Sequence, residues 1–292
     1  QGWLSHKFQM DEAAFKAFRR EAGISTTAFF TGVMGFLTAK YNYRDDSVIA
    51  TVYNGRKTEK TKNTMSMLVK TLPFVTDLSG NPAIRDVLKK ATEQLAESRK
   101  NDLYSFAEIA AEYGVTADIS FGYQGRILDY RMMDGAGIRA ERIYDERHIE
   151  NTAILIELSE LGEGWYEIHM GYRGDMFSRG FAENMARTYA KVAQEFLTKE
   201  YINDVDLADE AAADQIEAFN RTEFPFDQEK TVIDLFREQA KLRPNHTALV
   251  YLDKEYTYKE LDELTDRLAM HLRKCGIQRE TIVGVLIPRC EY

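Results

Sequence analysis

Cysteine is scarce in this chain: two among 292 residues, Cys275 and Cys290, both near the C-terminal end. No CxxC and no Cys/His spacing surrounds them, which excludes a disulfide framework and a zinc site, and no other cluster suggests a metal. Both thiols are read as reduced and structural. Proline is nearly as rare, with five residues, while 44% of the chain is hydrophobic and 12% aromatic, so the composition excludes a disordered segment. No apolar run approaches the roughly 20 residues that cross a bilayer. The opening QGWLSHKFQM lacks the basic and apolar regions of a secretion signal, so the expectation is a cytoplasmic protein with no membrane partner. A basic stripe is missing as well, which argues against nucleic acid as a partner.

What is present is length enough for two units, and a charge that is unevenly spread. Of the net charge of -9, residues 203–228 carry -7, with eight acids against Arg221 alone. Residues 229–292 hold eleven acids and eleven bases, so the acidity belongs to a connector. The pair Phe224-Pro225 inside this stretch disfavours helix and marks a boundary.

Before the connector, helical and extended patterns alternate. Phe15 and Phe18 lie on a short amphipathic helix ending near Gly23, and Ser25, Thr26 and Thr27 offer caps for the next one. There Phe30, Val33, Met34, Leu37 and Tyr41 predict one apolar stripe packed on a sheet. Strands are predicted over 47–53, closed by Asn54-Gly55, and over 72–78 and 119–123, with a hairpin from 153–158 and 165–172. Ile84 to Leu95 and Phe181 to Phe196 carry further helical spacing. The mixture predicts an α/β two-layer sandwich with a mixed sheet. Beyond the connector the pattern restarts. A helix around Val232 to Ala240, a strand over 247–251, a turn at Asp253-Lys254 into a short strand, and a helix from about Tyr258 to Cys275 lead to a buried strand over 282–287. Gly276 fits the left-handed cap of that helix.

Several short stretches in fixed order resemble a nonribosomal peptide synthetase. FNRTEFPF, TVIDLFREQA, TALVYL and YTYKELDELTDRLAMHLRKCGI are similar to the opening of an adenylation domain, with Tyr256, Tyr258 and Leu261 in its first core motif. Upstream, Gly55 and Arg56, then Thr71, Leu72 and Pro73, resemble two condensation-domain motifs, with Lys70 in place of the expected Asn. Tyr104 and Phe106 match a third, where Ser105 replaces proline, and ADISFGYQG a fourth. The resemblance implies the C-terminal lobe of a chloramphenicol-acetyltransferase-like condensation domain over 1–202, a linker over 203–228, and the truncated α/β start of an adenylation domain over 229–292. It implies carrier-protein domains and the remaining synthetase domains as partners, and ATP, magnesium and carrier-bound phosphopantetheine as cofactors of the parent, none of them held by this stretch.

The family's His-His-x-x-x-Asp-Gly motif does not occur here, since His6, His148, His169, His246 and His271 are all isolated. The glycine-rich phosphate loop of adenylation domains does not occur either. No catalytic residue is therefore assigned, and the stretch alone is expected to be silent, supplying half a condensation tunnel and an inter-domain platform. Ser120, Tyr123, Gln124 and His169 are the tunnel or substrate-facing candidates. Ser120 lacks a nucleophile elbow. On strand alternation His169 shares a face with Trp165, Glu167 and Gly171, and an isolated histidine is more often structural than chemical. His148, among charges, reads as a solvated loop residue. Gly55-Arg56 could hold an anion, but a turn with a structural ion pair is the simpler reading. YTYKEL reads as a packing and capping element. Two other readings stay open: a module that docks a carrier protein without chemistry, and a standalone acyltransferase using coenzyme A. Condensation, epimerisation and heterocyclisation lobes are not separated by these residues.

Overall fold

Helix α1 (Glu12–Ala22) begins where Asp11 accepts a hydrogen bond from the Ala14 amide, and α2 (Thr26–Tyr41) begins at Ser25, whose hydroxyl caps Ala28. The computed structural model describes residues 2–56, 58–126 and 152–288. They fall into two units, Gln1–Asn220 and Arg221–Tyr292.

The first unit is built on a six-stranded mixed sheet. Its strands are β1 (Gly2–Gln9), β2 (Asp46–Tyr53), β3 (Lys70–Asp77), β4 (Ile119–Gly125), β5 (Ile154–Gly162) and β6 (Trp165–Tyr172), in the order β1-β6-β5-β4-β2-β3. The central strands β2, β4 and β5 run parallel, and the outer pairs are antiparallel. Pro73 sits opposite Ala50 on β3, an edge strand of the sheet, the position at which proline is tolerated. The helix layer comprises α1, α2, α4 (Ile84–Lys100) and α6 (Arg179–Glu195), with α3 (Glu59–Lys62) and α5 (Phe106–Tyr113) as short additions. The sandwich expected from the pattern is present.

Three sequence expectations change. Helix α2 buries every residue from Ala28 to Ala39 and has no single stripe, because it lies between α4, α6 and the strands β2 to β4. Gly32 and Gly35 permit that position: a Cβ on Gly35 would stand 1.9 Å from Thr76 Oγ1, and one on Gly32 2.6 Å from Leu88 Cδ2. Around α2 the core is dense in rings, with Phe15 and Phe30 each in contact with both Phe29 and Tyr166. The Tyr189 hydroxyl, fully buried, donates to the Phe30 carbonyl at 3.0 Å. Strand β1, whose mixed sequence GWLSHKFQ signalled nothing, pairs with β6 along its whole length. The short helices α3 and α5 were likewise not predicted.

After α6 the chain does not leave at once. Residues 201–209 run back along it: Asp206 binds Lys191 at 2.7 Å, its amide donates to Glu195, and Asp209 binds Arg187 at 2.8 Å. Residues 203–209, assigned by sequence to the connector, group with the first unit, as does the following helix α7 (Glu210–Asn220), which buries nothing.

The second unit contains α8 (Val232–Leu242), the hairpin β7 (Thr247–Tyr251) and β8 (Lys254–Thr257), and α9 (Tyr258–Lys274). Thr257 and Glu260 form a capping box at the start of α9. Gly276, at φ 87°, closes it with the paired bonds of Gly276 to Arg273 and Ile277 to Leu272. The strand expected over 282–287 is not formed: the segment is irregular and Ile282 is 97% exposed. An apolar strand needs a partner edge and two covering layers, and the described residues of this unit supply only the two-stranded β7-β8. Ala240 is their one fully buried apolar residue. Cys275, read as structural, is a free exposed thiol 3.7 Å from His271 Nε2. The readings of His148 and Cys290 fall outside the described residues.

Candidate functional site

Parallel strands end on one side of a sheet, and that side gathers loops. Here the carboxyl ends of β2 and β4 open into a cleft of about 970 Å³. Tyr123 and Gln124, both predicted to face a tunnel, line it together with Tyr53, Arg56 and Arg99. Alternation along β4 divides their roles. The Tyr123 ring turns to the helix layer and stacks on Phe30 with centroids 5.3 Å apart, while its hydroxyl donates to Glu160 at 3.0 Å. Burial, reinforced by the Glu160 charge, pushes its pKa far above the ordinary phenol value, so it remains a donor at working pH. Tyr166 is pushed up to about 12 for the same reasons. Gln124 donates instead to Glu157 on β5 at 3.1 Å.

Among the described residues the cleft is cationic on balance. Arg56, Arg99 and Lys100 border it against Glu157. Arg99 lies 5.7 Å above the Tyr53 ring. Arg56 is held differently: its guanidinium donates to the carbonyls of Asn54, Thr64 and Ser66, so it ties down the loop between β2 and β3. Gly55 makes this close approach possible, being at φ 65° with a Cβ position 1.9 Å from the Leu68 carbonyl. The arginine thus braces backbone, as the turn reading anticipated, but through carbonyl oxygens.

Ser120 points away from this cleft and lines a second cavity of about 640 Å³, between β2, β3 and β4 and the segment 102–107. Thr71, Leu72, Tyr104 and Phe106 of the recognised motifs meet there. Lys70, in the Asn position of its motif, donates to the Asp102 carbonyl at 2.6 Å and stands 3.4 Å from the Asp102 carboxylate, a buried group. Ser105, in the proline position, caps α5 in a box with Glu108, and the Tyr104 hydroxyl donates to Glu112 at 2.8 Å. Both departures from the motif have therefore acquired their own bonding. The motif reading singled out none of Asp102, Arg99 and Thr152, although Thr152 immediately precedes the strand predicted over 153–158.

His169 joins neither cavity. It is 6% exposed, its Nδ1 is 2.9 Å from Ser5 Oγ on β1, and its Nε2 is 3.4 Å from Glu167. The imidazole bridges two strands. Tyr256, Tyr258 and Leu261 belong to the second unit, where the rings of Tyr258 and Phe236 lie 5.8 Å apart.

A two-layer lobe with a mixed sheet and a cleft at its parallel carboxyl ends is the class that this geometry defines. The condensation-domain model matches residues 5–217 and the AMP-binding-enzyme model residues 236–291, so the chain belongs to the condensation-domain family, followed by the start of an AMP-binding enzyme. It is 24% identical to bacitracin synthase 1 of Bacillus licheniformis over 92% of this chain and 5% of that protein. To gramicidin S synthase 2 of Brevibacillus brevis it is 24% identical, over 92% of this chain and 6% of that one. The chain therefore spans about a twentieth of those relatives. A four-domain nonribosomal peptide synthetase solved with AMP and glycine matches at TM-score 0.73 and 19% identity, over 94% of this chain and 23% of that one. The X-domain from teicoplanin biosynthesis matches at 0.58 and 18%, over 70% and 49%.

Proposed function

We propose that these residues are the C-terminal lobe, connector and adenylation start of a peptide synthetase, working in the cytoplasm. The parent joins carrier-protein-bound thioesters into peptide bonds and activates an amino acid with ATP and magnesium. The carrying observation is that two family matches succeed one another on one chain, condensation before AMP-binding. Residues 1–202, 203–228 and 229–292 are taken as lobe, linker and adenylation start.

In this reading the cleft at the ends of β2 and β4 is one wall of the condensation tunnel, with Tyr123 and Gln124 facing substrate and Ser120 and His169 supporting the sheet behind it. A phosphopantetheine arm is long, flexible and anionic at its phosphodiester. The cleft suits it in volume and in the charge of Arg99 and Lys100 at the border. The arm supplies the reactive thioester, and these residues orient it and shield it from water. ATP finds no such fit. Residues 221–292 contain two glycines, Gly276 and Gly284, too far apart for a phosphate-cradling loop. Among the described residues no set of three metal-ligating side chains gathers for magnesium.

The test is amino-acid-dependent ATP–pyrophosphate exchange by the 292-residue chain, together with titration by a phosphopantetheinylated carrier protein. The expected outcome is no exchange and amide shifts around the cleft. Exchange activity would overturn the assignment of a silent lobe, and a carrier that shifts nothing would overturn the tunnel wall.

A further inference from the structure

Strands β1 and β6 bring a serine, an imidazole and a carboxylate together on the sheet face opposite the helices. Ser5 pairs in register with His169, and its hydroxyl lies 2.9 Å from Nδ1. The other ring nitrogen, Nε2, stands 3.4 Å from the Glu167 carboxylate. That negative charge favours the proton on Nε2, which leaves Nδ1 to accept from the Ser5 hydroxyl. Nucleophile, base and orienting acid thus stand in the order that activates a hydroxyl. Ser5 is exposed while the imidazole behind it is buried, so a reagent reaches the hydroxyl and the packing holds the base in place.

The neighbours of Ser5 on that face, two residues away in each direction, shape a shallow site. The Trp3 indole lies over Gly171, where a Cβ would stand 2.7 Å from the ring, so the glycine makes room for a flat apolar wall beside the serine. On the other side the Lys7 ammonium is 3.9 Å from Glu167. A neutral acyl ester suits this set: the indole offers a surface for its acyl group, and the cation favours the charge that develops on the carbonyl oxygen during attack. We propose that Ser5 is an acyl-accepting nucleophile for small activated acyl esters and thioesters, with His169 as its base and Glu167 positioning the imidazole. Ser5 Oγ bonds to the acyl carbon while its proton passes to His169 Nδ1. The carbon–oxygen or carbon–sulfur bond then breaks, and the leaving group takes that proton. Water attacking by the same route releases the acid and restores the serine.

Ser5 and His169 line neither cavity, so the proposal is independent of the carrier-arm reading. The full 292-residue chain is treated with p-nitrophenyl acetate, and the acetylated residues are mapped by mass spectrometry after proteolysis. Ser5 is expected to take the acetyl group well ahead of Ser66 and Ser79, two exposed serines that serve as internal controls. His169→Gln keeps an amide for the bond to Ser5 but cannot take its proton, and should slow acetylation of Ser5 about 100-fold or more, the share that general-base catalysis supplies. Glu167→Gln tests the positioning role. The charged groups around His169 on this face are Glu167 on its own strand, Glu157 in register on β5 and Lys7 on β1, among the described residues. Removing the Glu167 charge favours the neutral imidazole, so the pH of half-maximal acetylation rate should move down, which a loosened sheet would not produce. If His169→Gln fails to fold, the preference for Ser5 over Ser66 and Ser79 and the Glu167→Gln profile decide the matter. No preference for Ser5, an unchanged rate in folded His169→Gln, or a pH profile that Glu167→Gln leaves in place overturns the proposal.

Discussion

The burial of α2 depends on Gly35 more than on any apolar residue of that helix. A methyl group there would meet Thr76 Oγ1 at 1.9 Å, Thr76 Cβ at 3.1 Å and Phe74 Cε1 at 3.2 Å, all on β3. The Gly35 carbonyl also accepts the Ser47 hydroxyl at 2.7 Å, which holds α2 against β2 and resists a shift of the helix. Overpacking a core costs about 1–3 kcal/mol, and a contact this short places Gly35→Ala at the upper end. Alanine returns about 1 kcal/mol in helix preference, leaving a net loss of about 2 kcal/mol, or roughly 4–8 °C in a unit of this size. Gly32→Ala is the control. Its methyl meets the flexible end of Leu88 at 2.6 Å, so the net change stays under about 1 kcal/mol. Urea unfolding followed by tryptophan fluorescence reports the first unit alone, since Trp3 and Trp165 are the only tryptophans and lie on β1 and β6. In a Thr76→Ala background the nearest obstacle is gone, and Gly35→Ala should cost under about 1 kcal/mol. Equal stability of Gly35→Ala and Gly32→Ala, or no relief from Thr76→Ala, would refute the reasoning.

Two further outcomes follow from local bonding. Ser105→Ala removes the cap of α5, a helix with no buried residue to hold it, and should cost about 1 kcal/mol locally; faster amide exchange over 106–113 with an unchanged midpoint for the whole unit is the expected record. The clasp of 206–209 on α6 should be acid-labile. Asp206 is held below the usual carboxylate range by its bond to Lys191, and Asp209 by its bond to Arg187. A depressed carboxyl stabilises above its unfolded value near 3.9 and loses that contribution as pH falls through the folded value. Amide protection over 206–213 should hold from pH 7 to 5 and fail below about pH 4. Protection that survives at pH 3 would show that the ion pairs do not carry the clasp.

Much of the first unit was legible because its signals are local. Capping residues, β-branched runs and 3.6-residue spacing located the main helices and five of six strands. What escaped depended on partners distant in sequence. Strand β1 alternates indifferently and exists because β6 offers an edge, with Phe8 opposite Tyr166. Residues 282–287 have the opposite character, an ideal apolar run with no edge to join among the described residues. The uniform apolarity of α2 was itself a sign of burial on all sides, which a search for one stripe conceals. For the site, motif order identified Gly55, Thr71 and Tyr104 as belonging together, but periodicity could not separate the cavity of Ser120 from the cleft of Tyr123.

That separation follows from the pleat. Ser120 and Tyr123 are three residues apart on β4, an odd interval, so their side chains leave opposite faces. Phe121 and Tyr123 face the helices, where their rings meet Tyr189 and Phe30. Ser120 therefore faces the other way, into the cavity beside Phe106, and Gln124 shares its sense while reaching the strand end. One central strand thus serves two openings, and a register shift of one residue would exchange their linings completely. Parallel pairing on both sides, Ala50 with Ser120 and Ser120 with Leu155, fixes that register where a hairpin turn could not. Sequence alternation along β4 accordingly constrains the lining of both openings as well as the packing: a bulge inserted between Ser120 and Tyr123 would leave the sheet paired while turning the Tyr123 ring out of its stack on Phe30.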